Sequence, residues 1–111
     1  MFDIIGGRMI EFQYFEGCPN SEETLNHLKE LIKEGIIKEK SLKITNVPDL
    51  ESAEFLKFQG SPSVLVNGID VYTEEKPQSF NYSCRVYVID GKHTGVLPKE
   101  YLKNKIIKLQ D

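Results

Sequence analysis

The sequence predicts an α/β fold: one domain with the element order β-α-β-α-β-β, a polar loop, and a closing helix. Three observations carry that reading. The alternating segment MIEFQYF runs directly into a helical stripe, so a strand feeds a helix near the N-terminus. The dipeptide Asn67-Gly68 sits between two β-branched runs and accepts the positive φ angles of a type I′ turn, which marks a hairpin. The closing PKEYLKNKIIKLQ has helical spacing and opens on Pro98, a residue suited to a first helical position.

In chain order, residues 9–15 set Ile10, Phe12 and Tyr14 against Glu11 and Gln13, the period-2 pattern of a half-buried strand. The helix that follows carries Leu25, Leu28, Leu31 and Ile32 on one stripe. Glu22 and Glu23 in its first turn suit the helix dipole, and Gly35 is its expected stop. SLKITNV, 41–47, reads as a second strand, after which Pro48 and Asp49 open a short helix expected to end at Gly60. PSVLVNGIDVY encodes the hairpin. An eleven-residue polar loop, 73–83, precedes CRVYVIDGKHTG, a further strand with a turn at Asp90-Gly91. Residues 1–8 lie ahead of the first periodic strand and read as a leader, with Met9 an alternative start; no function is placed there.

A length of 111 residues fits one compact domain with its own core. Hydrophobic content of 40 %, charged content of 28 % and a net charge of −3 describe an ordinary globular protein rather than a disordered or fibrous one. Arginine occurs only at Arg8 and Arg85, and the lysines interleave with glutamates as on a solvated face, which argues against a nucleic-acid partner. No apolar run approaches the roughly 20 residues that span a bilayer, and MFDIIGG lacks a basic n-region and a long h-region, so no membrane role and a cytoplasmic location are expected. Two cysteines are too few for a disulfide scaffold, and a reducing cytosol keeps them as thiols between turnovers; a pairing between them would be functional. The NYS triplet at 81–83 reads as a chance match to a glycosylation acceptor. His27 and His93 stand alone and are assigned no metal; no cofactor is expected beyond glutathione or another thiol reductant.

The order of elements, with YFEGCPN at the first strand-to-helix junction, GSPS before the third strand and VLVNG closing the hairpin, resembles the thioredoxin-like superfamily over nearly the whole chain from Met9. More narrowly, GCPN, GSPSVLVNG and SCRVY…GVLPKEYL are similar to a group of small bacterial and archaeal thioredoxin-like proteins, some labelled alkylmercury-lyase-like or selenoprotein-related. The resemblance implies a central four-stranded mixed sheet flanked by helices, with an extra loop and strand inserted before the last helix. It also implies a reactive Cys18 faced by a cis Pro62, with the Ser61 backbone free to pair with an extended thiol peptide. The other reading of Pro62 is a trans proline that starts an edge strand.

A thiolate is the reactive form of cysteine, and a helix N-terminus stabilises it through the dipole and unpaired N–H groups. With Cys18 as N-cap and Pro19 at N1, the missing proline N–H costs nothing, and Ser21 at N3 can aim its hydroxyl at the sulfur. The contrary reading makes Cys18 a small, inert, buried cap. Ser21 stands where dithiol motifs carry a second cysteine, so Cys18 needs another resolving partner: glutathione, a second protein, or Cys84. The hairpin returns Thr73 toward Cys18, and the loop leaves slack for the Cα separation of about 4.4 to 6.8 Å that a disulfide needs. Otherwise Cys84 points into the core from the CRVYV strand. Arg85 is a candidate to lower a thiol pKa or to hold a carboxylate such as that of glutathione. The aromatics of FNYSCRVY either line a groove or pack a core.

Two function classes follow. In the first, a thiol–disulfide redox enzyme, Cys18 attacks a disulfide, sulfenate or soft-metal-bound thiol. Ser61, Pro62, Pro19 and Arg85 contact the substrate, and Cys84 resolves, the partner being a disulfide-bearing protein or a small thiol. In the second, a non-catalytic module holds a thiophilic metal between Cys18 and Cys84, or a partner protein.

Overall fold

The alternation of the first strand places it at the centre of a sheet. In the computed structural model, which describes residues 9–110, β1 (Ile10–Tyr14) runs parallel to β2 (Leu42–Asn46) and antiparallel to β3 (Ser63–Val66). β3 pairs in turn with the short β4 (Ile69–Asp70), giving a mixed four-stranded sheet of order β2-β1-β3-β4. Residues 1–8, read above as a leader, lie outside the described residues. The SVLV run of β3 is buried at every position, as a strand covered on both faces should be.

Helix α1 (Ser21–Lys33) buries Leu28 and Leu31 in the main core, with Leu25 and Ile32 packed at its margin. It ends where the glycine indicated. Gly35 takes φ +81°, its N–H bonds the Ile32 carbonyl at 3.0 Å, and the Ile36 N–H reaches back to Leu31 at 2.9 Å, which satisfies the last carbonyls of the helix. Ile10, Phe12, Val64 and Val66 from the sheet meet these leucines, together with Leu102 and Ile106 from α3 (Lys99–Gln110).

Helix α2 (Leu50–Leu56) is capped by Asp49, whose side chain accepts the Ser52 N–H at 2.8 Å. It stops short of Gly60, contrary to the sequence reading. Lys57 enters the left-handed region at φ +56°, and the Phe58 N–H returns to the Ala53 carbonyl at 2.9 Å. The reason is Phe58 itself, which leaves the helix to fill a second, smaller core with Val47 and Ala53, against Phe15 and Tyr82.

The hairpin turn has positive φ at both Asn67 (+51°) and Gly68 (+86°), as a type I′ turn requires. Its return strand is short because the Asp70 carboxylate accepts the N–H groups of Tyr72 and Thr73, at 2.8 and 3.0 Å, and curls the chain out of the ladder. The segment before α3 forms a separate two-stranded sheet, β5 (Tyr87–Ile89) and β6 (Lys92–Thr94), joined through Asp90 and Gly91, both at positive φ. Among the described residues no helix is long and apolar enough to cross a membrane.

Gly60 marks a close approach of the 83–85 segment to this frame. It sits at φ +112°, and a Cβ added there would lie 3.1 Å from both the Ser83 carbonyl oxygen and Arg85 Cβ. Gly60→Ala is expected to lower stability by on the order of 1–3 kcal/mol through backbone strain alone. Urea unfolding checks this, the midpoint falling with the slope unchanged.

Candidate functional site

Beyond β1 the chain turns at Gly17 (φ +95°) and delivers Cys18 into a tight turn closed by the Ser21 N–H on the Cys18 carbonyl, at 3.3 Å. The N-cap of α1 is therefore Asn20, not Cys18, and Ser21 is its first helical residue rather than its third. Pro19 occupies the first central position of the turn, where its fixed φ is equally at home. The thiol thus stands one turn ahead of the helix. It still feels a backbone N–H, since that of Asn20 lowers the thiol pKa.

Across from it, the Ser61–Pro62 peptide bond is cis. The Ser61 backbone, expected to be free, is paired by the chain's own residues. Its N–H donates to the Ser83 carbonyl at 2.9 Å and its carbonyl accepts from the Arg85 N–H at 2.8 Å, making a parallel bridge opposite Cys84. The 83–85 segment is thus a strap laid along the strand edge. It projects Cys84 at Cys18, with the two Sγ atoms 3.0 Å apart and both cysteines free thiols. Cys84 does not enter the core, since it precedes β5 and is exposed, whereas Cys18 is only 7 % exposed. The Cys18 Sγ also lies 3.3 Å from the Ser61 carbonyl oxygen. The Ser61 hydroxyl accepts the Phe15 N–H at 3.2 Å and shares a hydrogen bond with the Ser21 hydroxyl at 2.8 Å.

Arg85 does not face the thiols. Its guanidinium forks onto the buried Asp70 carboxylate at 2.6 and 3.1 Å and donates to the Ser63 hydroxyl at 2.9 Å. It also stacks over Tyr87 and Tyr72, at 4.7 and 5.6 Å from their ring centres. With its charge already neutralised by Asp70, it anchors the strap and is not available to hold a carboxylate ligand. The aromatics around Cys84 divide likewise: Tyr87 is buried, Tyr82 joins the small core, and Phe80 is exposed.

Opposed influences set the protonation of the pair. Burial raises the Cys18 thiol. It is outweighed by hydrogen bonds from Cys84, from the Asn20 N–H and from the Ser61 and Ser21 side chains, so Cys18 titrates below the ordinary cysteine range. Cys84 moves the other way, first because its proton is engaged by the Cys18 sulfur, then through burial and the Cys18 charge. Cys18 therefore ionises before Cys84, the remaining proton stays on Cys84, and the two titrate as a pair.

Sequence reasoning missed three supporting residues. Asp70 was visible as a lone acid inside an apolar hairpin run. Tyr87, whose hydroxyl donates to the Pro62 carbonyl at 2.5 Å, gave no sign. Gly95 packs against Asn20 so closely that an added Cβ would collide with the Asn20 side chain, which ties the end of the second sheet to the turn carrying Cys18. His27 is likewise structural, bonded through Nδ1 to the Leu97 carbonyl at 2.9 Å, and His93 is exposed on β6.

Two measurements probe this arrangement. Removing a group that stabilises the thiolate raises the Cys18 pKa, so thiolate absorbance against pH is expected to shift upward most for Cys84→Ala and least for Ser21→Ala. Arg85→Met strands the Asp70 carboxylate in the core and is expected to cost about 3 kcal/mol in urea unfolding; an unchanged midpoint contradicts the anchoring role.

Compared with family models, with curated proteins and with solved structures, the chain gives no match.

Proposed function

We propose that this chain is a thioredoxin-like thiol–disulfide redox protein in which Cys18 is the attacking thiolate and Cys84 the resolving thiol. The observation that supports it most is the 3.0 Å approach of the two sulfurs beside the Ser61–Cys84 bridge. A disulfide bond of about 2.05 Å needs only about 1 Å of further approach. In the oxidising direction the Cys18 thiolate attacks one sulfur of a disulfide RSSR and expels RS⁻. The Cys84 thiol then loses its proton and attacks the Cys18 sulfur, expelling the second RS⁻, which takes that proton. Two electrons pass from the protein to RSSR, and RS⁻ and RSH leave.

Reduction runs through the other sulfur. An external thiolate, from glutathione or another small thiol, attacks the exposed Cys84 sulfur, and Cys18 departs as the better leaving group because its thiolate is the stabilised one. A second external thiolate attacks the added sulfur and frees Cys84, which recovers its proton. Ser21 and Ser61 tune the thiolate by hydrogen bonding; neither can resolve a mixed disulfide. The competing reading, a soft metal held in a line between the thiols, suits the geometry less. Two bonds near the zinc–sulfur length of about 2.3 Å would hold the sulfurs about 4.6 Å apart, well beyond the separation found here.

Mild oxidation of the wild-type chain is expected to give a monomer with both thiols blocked, read by alkylation and intact mass. Cys84→Ser is expected to accumulate a Cys18 mixed disulfide or a linked dimer. Cys18→Ser should abolish transfer to an external disulfide, whereas Ser21→Ala should keep most of it. Equal loss in the last two variants, or two free thiols after oxidation of the wild type, would overturn the roles.

A further inference from the structure

The redox reading leaves the oxidant unnamed, and the surroundings of Cys18 narrow it. Peptide substrates are commonly held by adding a strand to an unpaired edge. At Ser61 both backbone groups are already spent on Ser83 and Arg85. The strap is also held elsewhere. Arg85 is locked on Asp70, the Tyr82 hydroxyl donates to the Val47 carbonyl at 3.0 Å, and the Tyr82 ring packs edge-on to Phe15 with centroids 5.1 Å apart. An extended peptide could add a strand at Ser61 only by displacing this strap.

The opening beside Cys18 is of another kind. A cleft of about 290 Å³ lies against Cys18 and Ser21, with Tyr14, Phe15, Leu25 and Ile44 among its walls and the carboxylates of Glu16 and Glu22 at its margin. That volume is near the lower bound of about 300 Å³ usual for small-molecule sites. Glu16 and Glu22 are both exposed, and neither has an ion-pair partner among the described residues, so their charge faces whatever approaches. Apolar walls favour an apolar body, and two carboxylates oppose an anion.

Building on the redox role proposed above, we propose that the oxidant received by Cys18 is a small disulfide with an apolar body and no negative charge, admitted through this cleft, and not a peptide strand. The step is the one already balanced: the Cys18–S bond forms as the S–S bond of RSSR breaks, RS⁻ leaves by the cleft, and Cys84 completes the internal disulfide from the opposite side. The carboxylates bind nothing covalently; they select by charge.

The test follows formation of the internal Cys18–Cys84 disulfide in the full reduced chain by quenched mass analysis. Three oxidants are compared: neutral 2,2′-dithiodipyridine, dianionic 5,5′-dithiobis(2-nitrobenzoate), and a capped, neutral peptide disulfide, each rate divided by that with 2-mercaptoethanol. The normalised rate is expected to be about tenfold higher for the neutral aromatic disulfide than for the dianion, and the ratio should fall as salt is added. Glu16→Gln with Glu22→Gln should bring the two within about threefold, and Ile44→Asp, at an exposed edge-strand position, should slow the neutral reagent. Rates indifferent to charge, or a peptide disulfide that outpaces the small neutral one, would overturn the substrate class while leaving the redox role intact. No internal disulfide with any of the three would instead overturn the redox role.

Discussion

The pairing of Ser61 with Ser83 and Arg85 is the constraint on which the arrangement of the thiols depends. Cys18 is placed by β1 and the turn ahead of α1, both of which belong to the continuous sheet-and-helix frame. Cys84 belongs to a segment with no regular structure of its own, and the two backbone hydrogen bonds to Ser61 set its register. A slip of one residue along that edge would turn Cys84 to the opposite side, because side chains alternate along an extended chain. The Arg85–Asp70 fork prevents that slip. It fixes the residue next to Cys84 to a carboxylate that itself curls the end of β4 through the Tyr72 and Thr73 N–H groups. Hairpin, strap and thiol pair are thus one connected assembly, and Gly60 is the residue whose missing side chain lets its parts meet.

The same assembly sets two like thiols apart, lowering the pKa of Cys18 and raising that of Cys84. Two identical thiols in water would titrate alike. Here one is buried beside the strap, where neighbouring hydrogen-bonding groups lower its pKa against the effect of burial, and the other is exposed, its pKa raised chiefly by the first sulfur. Burial alone would make Cys18 inert. The preorganised donors reverse its sign, as they do wherever fixed dipoles replace water around an anion.

Most of the frame could be read from the chain because it rests on local rules. Period-2 alternation at β1, the Gly35 stop, the Asn67-Gly68 turn and the Pro98 helix start each depend on a few adjacent residues. Errors arose where tertiary packing prevailed. Phe58 abandons α2 early to fill a core that no local pattern reveals, and Cys18 yields the N-cap to Asn20 because Pro19 takes the turn position instead of the first helical one. At the site, the sequence could bring Cys84 near Cys18 through the hairpin's return, but not the means. Ser61 was expected to offer a free edge, and Arg85 a free charge; each is consumed by a partner far away in the chain, Arg85 on the one acid of the hairpin and Ser61 on the strap. Long-range pairing of this kind leaves no periodic trace.

The second thiol lies 66 positions from the first, so a disulfide between them would constrain most of the fold. A disulfide between near neighbours closes a small ring and constrains little of the unfolded chain. One that spans most of the domain removes far more of its freedom, roughly 4 kcal/mol at this separation on the loop-entropy scale, against about 2 for a four-residue ring. Linkage makes that figure reciprocal: to the extent that the bond stabilises the native state, the native state favours the bond by the same amount over the unfolded chain. With Ser21 at the position where a local second cysteine would stand, a Cys18–Cys84 disulfide would be coupled to the whole fold rather than to a local element. The strap on Ser61, the Arg85–Asp70 anchor and the hairpin that carries them would all bear on that equilibrium, because each helps to hold the two sulfurs 3.0 Å apart, about 1 Å from bonding distance.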